Sequence, residues 1–189
     1  MKQIFYLAFL SSALLLCSSS FGQGIRATIK IDGIQGESKT LNGAIDVLSY
    51  SDGLSSCTTT ANTSNLQGGS ASTCKPISSS LFFMMVGEKA TIMLKTALLT
   101  GKVIASADLT YSKPIDGADL MFYKIRLENV KVGSIQESGS NENPTYSVEL
   151  TFTRIAWQIT TQSATGGVGD KFTSGWDFAL GKPFAFNFQ

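Results

Sequence analysis

Apolar and polar residues alternate along most of this chain, and a period of two is the signature of half-buried strands. Ile25, Ala27, Ile29 and Ile31 share one phase, and Arg26, Thr28, Lys30 and Asp32 the other. Val103, Ala105, Ala107, Leu109 and Tyr111 repeat the pattern, as do Met121, Tyr123, Ile125 and Leu127 against Phe122, Lys124, Arg126 and Glu128. A longer run, Tyr146, Val148, Leu150 and Phe152, changes phase across Thr153-Arg154 to Ile155, Trp157 and Ile159. Such a switch sends the apolar set to the opposite face, as at a barrel bend or bulge. The segment Ala44 to Ser51 also shifts, from Ile45 and Val47 to Leu48 and Tyr50, which predicts a bulge or burial of both faces.

Leu81 to Val86 is apolar without interruption, and after Gly87 the period changes. Ala90, Met93, Leu94, Ala97 and Leu98 fall at the spacing of one helical face. Glu88 belongs to the first turn, Gly101 sits where a left-handed C-terminal cap is expected, and the methionines read as core filler. No fixed-period repeat indicates a solenoid. The expected fold is mainly β: a mostly antiparallel sheet closed or nearly closed into a barrel, with one α-helix packed on it.

The chemistry is bounded by what is missing. The 189 residues include no histidine, which excludes Ser-His-Asp triads, Cys-His dyads, imidazole bases and zinc sites that need an imidazole. Fifteen basic residues against fourteen acidic ones give no excess to neutralise a phosphate backbone, so nucleic acid is not an expected partner. Gly166, Gly167 and Gly169 are followed by Asp170, Lys171 and Phe172 where a dinucleotide fingerprint needs its third glycine, and Gly101-Lys102 lacks the rest of a P-loop. No cofactor and no metal are expected. A carboxylate pair would be the one route to catalysis. Asp32, Asp108, Glu128 and Glu149 lie on the polar phases of strands, where they face solvent or a partner subunit, and the chain is not expected to be an enzyme.

The amino terminus reads as an address. Lys2 is the only charge before Arg26, and it precedes an apolar run from Ile4 to Cys17 broken only by Ser11 and Ser12. As a helix this run reaches about 21 Å, short of the roughly 30 Å of bilayer hydrocarbon, so it predicts a cleavable signal and no integral span. Ser20 and Gly22 place small residues before a cut between Gly22 and Gln23. Residues 1–22 are then the signal, 23–189 a single domain, and the destination secreted or periplasmic. Acylation at Cys17 is the competing reading, disfavoured by Leu16 before it.

Cysteine usage agrees with export. Cys57 and Cys74 are separated by 16 residues, too many for a CxxC site, and a disulfide is the economical reading. Between them the chain turns abruptly to Ser, Thr, Asn and Gly, a composition that cannot bury enough apolar surface to offset its ordering entropy. An extended loop is expected at about 54–75. At the other end Phe184, Phe186 and Phe188 alternate with Ala185, Asn187 and Gln189, predicting a terminal core or edge strand.

The ordered set of motifs resembles the haemolysin-coregulated protein family, whose members form the inner tube of type VI secretion systems. The resemblance rests on Ile29-Lys30-Ile31-Asp32-Gly33-Ile34-Gln35-Gly36-Glu37-Ser38 and on Ile45-Asp46-Val47-Leu48-Ser49-Tyr50. It continues through the helix ending near Gly101-Lys102, the strands around Leu109 and Tyr123-Lys124-Ile125, and Gly175-Trp176-Asp177. The motif residues are Asp32, Gly33, Ile34, Gly36, Glu37, Asp46, Gly175, Trp176 and Asp177. The resemblance implies a barrel that assembles into hexameric rings, stacked as a tube, with a lumen that accommodates a protein effector. By position, Leu54 through Lys75 corresponds to the loop that reaches the next ring. A cleavable signal, a disulfide-tied loop and the aromatic tail beyond Lys182 depart from the family pattern. A secreted or periplasmic binding module reusing the barrel is the alternative.

Overall fold

The computed structural model describes residues 24–55, 77–78, 80–115, 118–139, 143–164 and 167–188. In chain order these form β1 (Arg26–Ile31), β2 (Ile45–Val47), β3 (Ser49–Ser51), β4 (Leu54–Ser55), β5 (Ile77–Ser78), β6 (Leu81–Val86), α1 (Lys89–Thr100), β7 (Ile104–Ile115), β8 (Ala118–Ser138), β9 (Thr145–Thr151), β10 (Arg154–Gln162), β11 (Val168–Asp177) and β12 (Lys182–Pro183). Every pairing among the described residues is antiparallel. Among the described residues the expected mainly β fold with one packed helix is what the chain adopts.

Among the described residues the ladder does not close into a continuous ring. One path runs β12-β11-β10-β8-β7-β1-β2, and a second, β3-β6-β9, joins it through β8. The 21-residue β8 is therefore shared, its first half pairing β7 and β10 and its second half β9. The phase breaks in the sequence mark the corners of this arrangement. Val47 pairs on β1 while Ser49 pairs on β6, and Leu48, whose N–H donates to the Met84 carbonyl at 2.8 Å, turns the chain from one sheet to the other. The break at Thr153-Arg154 is likewise a change of sheet, β9 pairing with β6 and β10 with β11. Both are bends between two sheets, so the bulge and the two-sided burial expected at 44–51 are set aside.

A third corner was not visible in the alternation. Ile104, not Val103 or Ala105, faces the core at the start of β7, and on β8 burial steps from Leu127 to Val130. The two strands change phase together because Ile104 pairs with Val130 and Ala107 with Leu127. Asn129 takes up the turn with φ 52°, its amide donating to Thr153 Oγ1 at 3.0 Å.

The core is the inner face of both sheets together with one stripe of the helix. Ile29, Ile31, Ile45, Leu81, Phe83, Met85, Leu109, Ile125, Leu127, Val148, Leu150 and Ile155 all bury completely or nearly so. From α1, Ala90, Thr91, Leu94 and Ala97 are buried and Leu98 packs partly against the core, while Met93 faces outward. Among the described methionines only Met85 fills the core; Met84, Met93 and Met121 are exposed. The continuous apolar run of β6 is half inside, with Phe82, Met84 and Val86 on the outer face.

Glu88 is the N-cap and not a first-turn residue, and its N–H donates to Thr91 Oγ1 at 3.2 Å. Gly101 closes the helix in the left-handed conformation, as expected. Gly36 is required by close approach, because a Cβ there would lie 2.1 Å from the Ala44 carbonyl oxygen.

Candidate interaction surface

The strands β1, β7, β8, β10 and β11 present an outer face whose side chains line up in transverse rows, each row formed by residues paired across the ladders. One row is Ser106, Glu128, Arg154 and Asp177. The next is Lys30, Asp108, Arg126, Ala156 and Gly175. A third is Asp46, Thr28, Thr110, Lys124, Gln158 and Thr173. This stacking follows from period two: once register is set, all residues of one phase meet on one face.

The first row is an ion-pair chain. Arg154 Nε donates to Asp177 Oδ2 at 2.6 Å, and Arg154 Nη1 lies 3.5 Å from Glu128 Oε2. The Asp177 side chain is 3% exposed, and its other oxygen accepts the Leu180 N–H at 2.9 Å. That backbone N–H, with Arg154 beside it, holds the Asp177 carboxyl below the ordinary carboxylate range. At the opposite end of the row, Asp32 N–H donates to the Ser106 carbonyl at 3.0 Å. The opening Asp32-Gly33 motif and the closing Asp177 therefore meet the same transverse row, though far apart in sequence.

The rest of the opening motif forms a hook between β1 and the helix. Gly33 makes the turn with φ 71°, and Ile34 buries beneath it. Gly36 N–H donates to the Gly43 carbonyl at 3.1 Å, and Glu37 N–H to Glu88 Oε2 at 3.1 Å. Burial pushes the Glu88 carboxyl up, against the pull of that N–H, and neighbouring Glu37 and Asp46 push it the same way. Asp46 itself is held in the β1–β2 ladder opposite Thr28. These motif residues act as structural ties at one end of the sheet.

In the second row Arg126 Nη1 pairs with Asp108, whose carboxyl is nonetheless raised because burial outweighs the guanidinium. The four carboxylates weighed as catalytic candidates are thus distributed: Asp108 on Arg126, Glu128 on Arg154, Glu149 accepting from Ser80 Oγ, and Asp32 at the exposed turn.

The aromatic tail is not the expected strand. Only Lys182 and Pro183 pair with β11; after them Phe184 N–H donates to the Gly175 carbonyl at 3.1 Å, and the chain continues extended across the outer face. The alternation survives, with Phe184, Phe186 and Phe188 half-buried and Ala185 and Asn187 exposed. Phe184 lies 5.7 Å from the Arg154 guanidinium and Phe186 5.4 Å from that of Arg126, with Phe188 edge-on to Phe186 at 4.9 Å. Beside the tail's end a cavity of ≈ 520 Å³ opens onto Asp108, Thr110, Lys124 and Arg126. Arg126 and Arg154 were missed as surface-defining residues; only their place on the polar phase marked them. Cys57, Cys74, Gly22 and Gln23 lie outside the described residues.

This two-layered antiparallel β fold, with one long strand shared between the layers, is similar to solved structures of type VI secretion system proteins. Hcp1 from Salmonella typhimurium is 26% identical over 85% of this chain and 99% of its own, with a TM-score of 0.69. A structure described only as a type six secretion system protein reaches a TM-score of 0.72 at 23% identity, covering 85% of this chain and all of its own. A type VI secretion system effector from Yersinia pestis is similar in fold, with a TM-score of 0.60 at 23% identity over 80% of this chain and 98% of its own. The family described as "Type VI secretion system effector, Hcp" matches residues 28–159, and this chain belongs to it. No curated protein matches the chain. Among the described residues no helix is long and apolar enough to cross a membrane.

Proposed function

We propose that this chain is a non-enzymatic, ring- or tube-forming structural protein, exported after cleavage between Gly22 and Gln23 and acting as a single domain of residues 23–189. Family membership carries the reading. Hexameric rings, their stacking and a protein effector in the lumen come with it as parts of the proposal, and so does a secreted or periplasmic destination. Two surface features support self-association. Phe82, Met84 and Val86 form an apolar row on the outside of β6, and among the described residues the β11 edge is paired only at Trp176 and Asp177 by β12 and at Gly175 by Phe184, so its earlier part can be covered by another chain.

The loop at about 54–75 is assigned to ring stacking and tied by a Cys57–Cys74 disulfide. In support, Leu54 pairs with Ser78 and Ser55 with Ile77, and in sequence Ser55 is two residues before Cys57 and Ile77 three after Cys74. A second reading, a binding module built on the same barrel, draws on the cavity beside Asp108 and Arg126. Native mass measurement with negative-stain imaging of the mature, oxidised protein separates them. Uniform rings are expected, and a strict monomer at high concentration overturns the ring reading.

A further inference from the structure

The second transverse row contains a trough. Between Arg126 on β8 and the end of the sheet its members are Ala156, fully buried, and Gly175, which has no side chain at all. The tail crosses the sheet here. The three atoms that a Cβ on Gly175 would meet first all belong to Phe184, its carbonyl oxygen at 2.8 Å and two ring carbons at 3.0 and 3.2 Å. The bare position is thus matched to the tail and not to the body of the sheet. Beyond it Arg154 and Arg126 present guanidinium groups to the rings of Phe184 and Phe186.

Among the described residues the tail is held through a two-residue ladder, a further backbone hydrogen bond from Phe184, and ring contacts; Gly181, with φ 65°, forms the turn that leads into it. Exchange of an identical element between copies preserves every such contact and asks only for a different path through the hinge.

We propose that this trough is a docking groove for an extended segment with aromatic residues at alternate positions, and that its partner in solution is the 184–188 segment of a second copy. The groove is filled in cis when the chain is dilute, and exchanged tails link neighbouring copies when it is concentrated. This does not rest on the ring reading: rings that form equally well without the tail leave that reading intact and overturn this one.

The test uses complementary halves. An acceptor chain ending at Pro183 keeps an open trough, and a donor carrying Gly175→Leu keeps the tail but has its own trough filled. Each is labelled with one fluorophore of an energy-transfer pair, and circular dichroism checks that both are folded. Gly175→Ala serves as donor if the leucine variant does not fold, since its Cβ already reaches Phe184. Transfer between acceptor and donor is expected, falling to background when the donor also ends at Pro183 and weakening when the acceptor carries Arg126→Gln. Transfer that is absent, or unchanged on removing the donor's tail, overturns the proposal.

Discussion

Arg154 on β10 and Asp177 on β11 stand directly opposite each other in the ladder, and the guanidinium Nε donates to a carboxylate that is almost wholly enclosed. The pair joins the strand that follows the sheet-changing corner to the motif that closes the domain. Because Asp177 also accepts the Leu180 N–H, its charge organises the turn from which the tail departs.

That geometry fixes the sign of a pH effect. The Asp177 carboxyl is held below its ordinary value in the fold, so its contribution to stability is fully present above the unfolded value of roughly 4 and is lost as pH falls through the lower folded value. Asp177→Asn should lower the melting temperature at neutral pH. The gap between variant and parent should narrow in melts taken progressively below pH 4, and a gap that is independent of pH would count against the charged pair.

Leu94 is the largest helix side chain buried in the core, whereas Ile92 on the same helix points to solvent. Leu94→Ala should cost about 2–5 kcal/mol of unfolding free energy through lost contacts and a residual cavity. Ile92→Ala should stay within about 0.5 kcal/mol. Urea titrations of the two variants test the assignment of faces, and a reversed order would refute it.

Asn129 occupies a left-handed conformation where β8 turns from one sheet to the other. Asn129→Ala should destabilise by about 1–2 kcal/mol, combining the backbone strain with loss of the bond to Thr153. Asn129→Gly, which relieves the strain, should be milder in the same denaturation measurement. Equal losses for the two would mean that the conformation itself is not what matters.

The proposed Cys57–Cys74 bridge closes a loop of about 18 residues and should contribute on the order of 3 kcal/mol in an entropy-based account. Thiol titration of the exported protein, denatured without reductant, should find no reactive thiol, and reduction should lower the unfolding midpoint. Two titratable thiols would exclude the bridge.

Much of the architecture was legible in the sequence because it depends on local period. Alternation located β1, β7, the first half of β8, and β9 and β10 as one run, the 3.6 period located α1, and Gly101 marked its end. The phase changes at Leu48 and at Thr153-Arg154 were visible as irregularities, yet their meaning was not, since a bulge and a change of sheet leave the same trace in one strand. The corner at Asn129 left none, because Ile104 and Val130 shift together and only their pairing reveals it. The tail was legible as alternating and misread as a strand, because an extended segment held by side chains has the same period as one held by a ladder.

Residue order alone determined which stretches are extended, which one is helical, and which side chains of each strand share a face, because these follow from geometry repeated every two or 3.6 residues. Tertiary structure decided the rest: the row that sets Arg154 between Glu128 and Asp177, the hook from Glu37 to Glu88, and the trough at Gly175 in which Phe184 lies. Each depends on the register between segments distant in the chain, and register is chosen by the packing of the whole core, which no local pattern of residues contains.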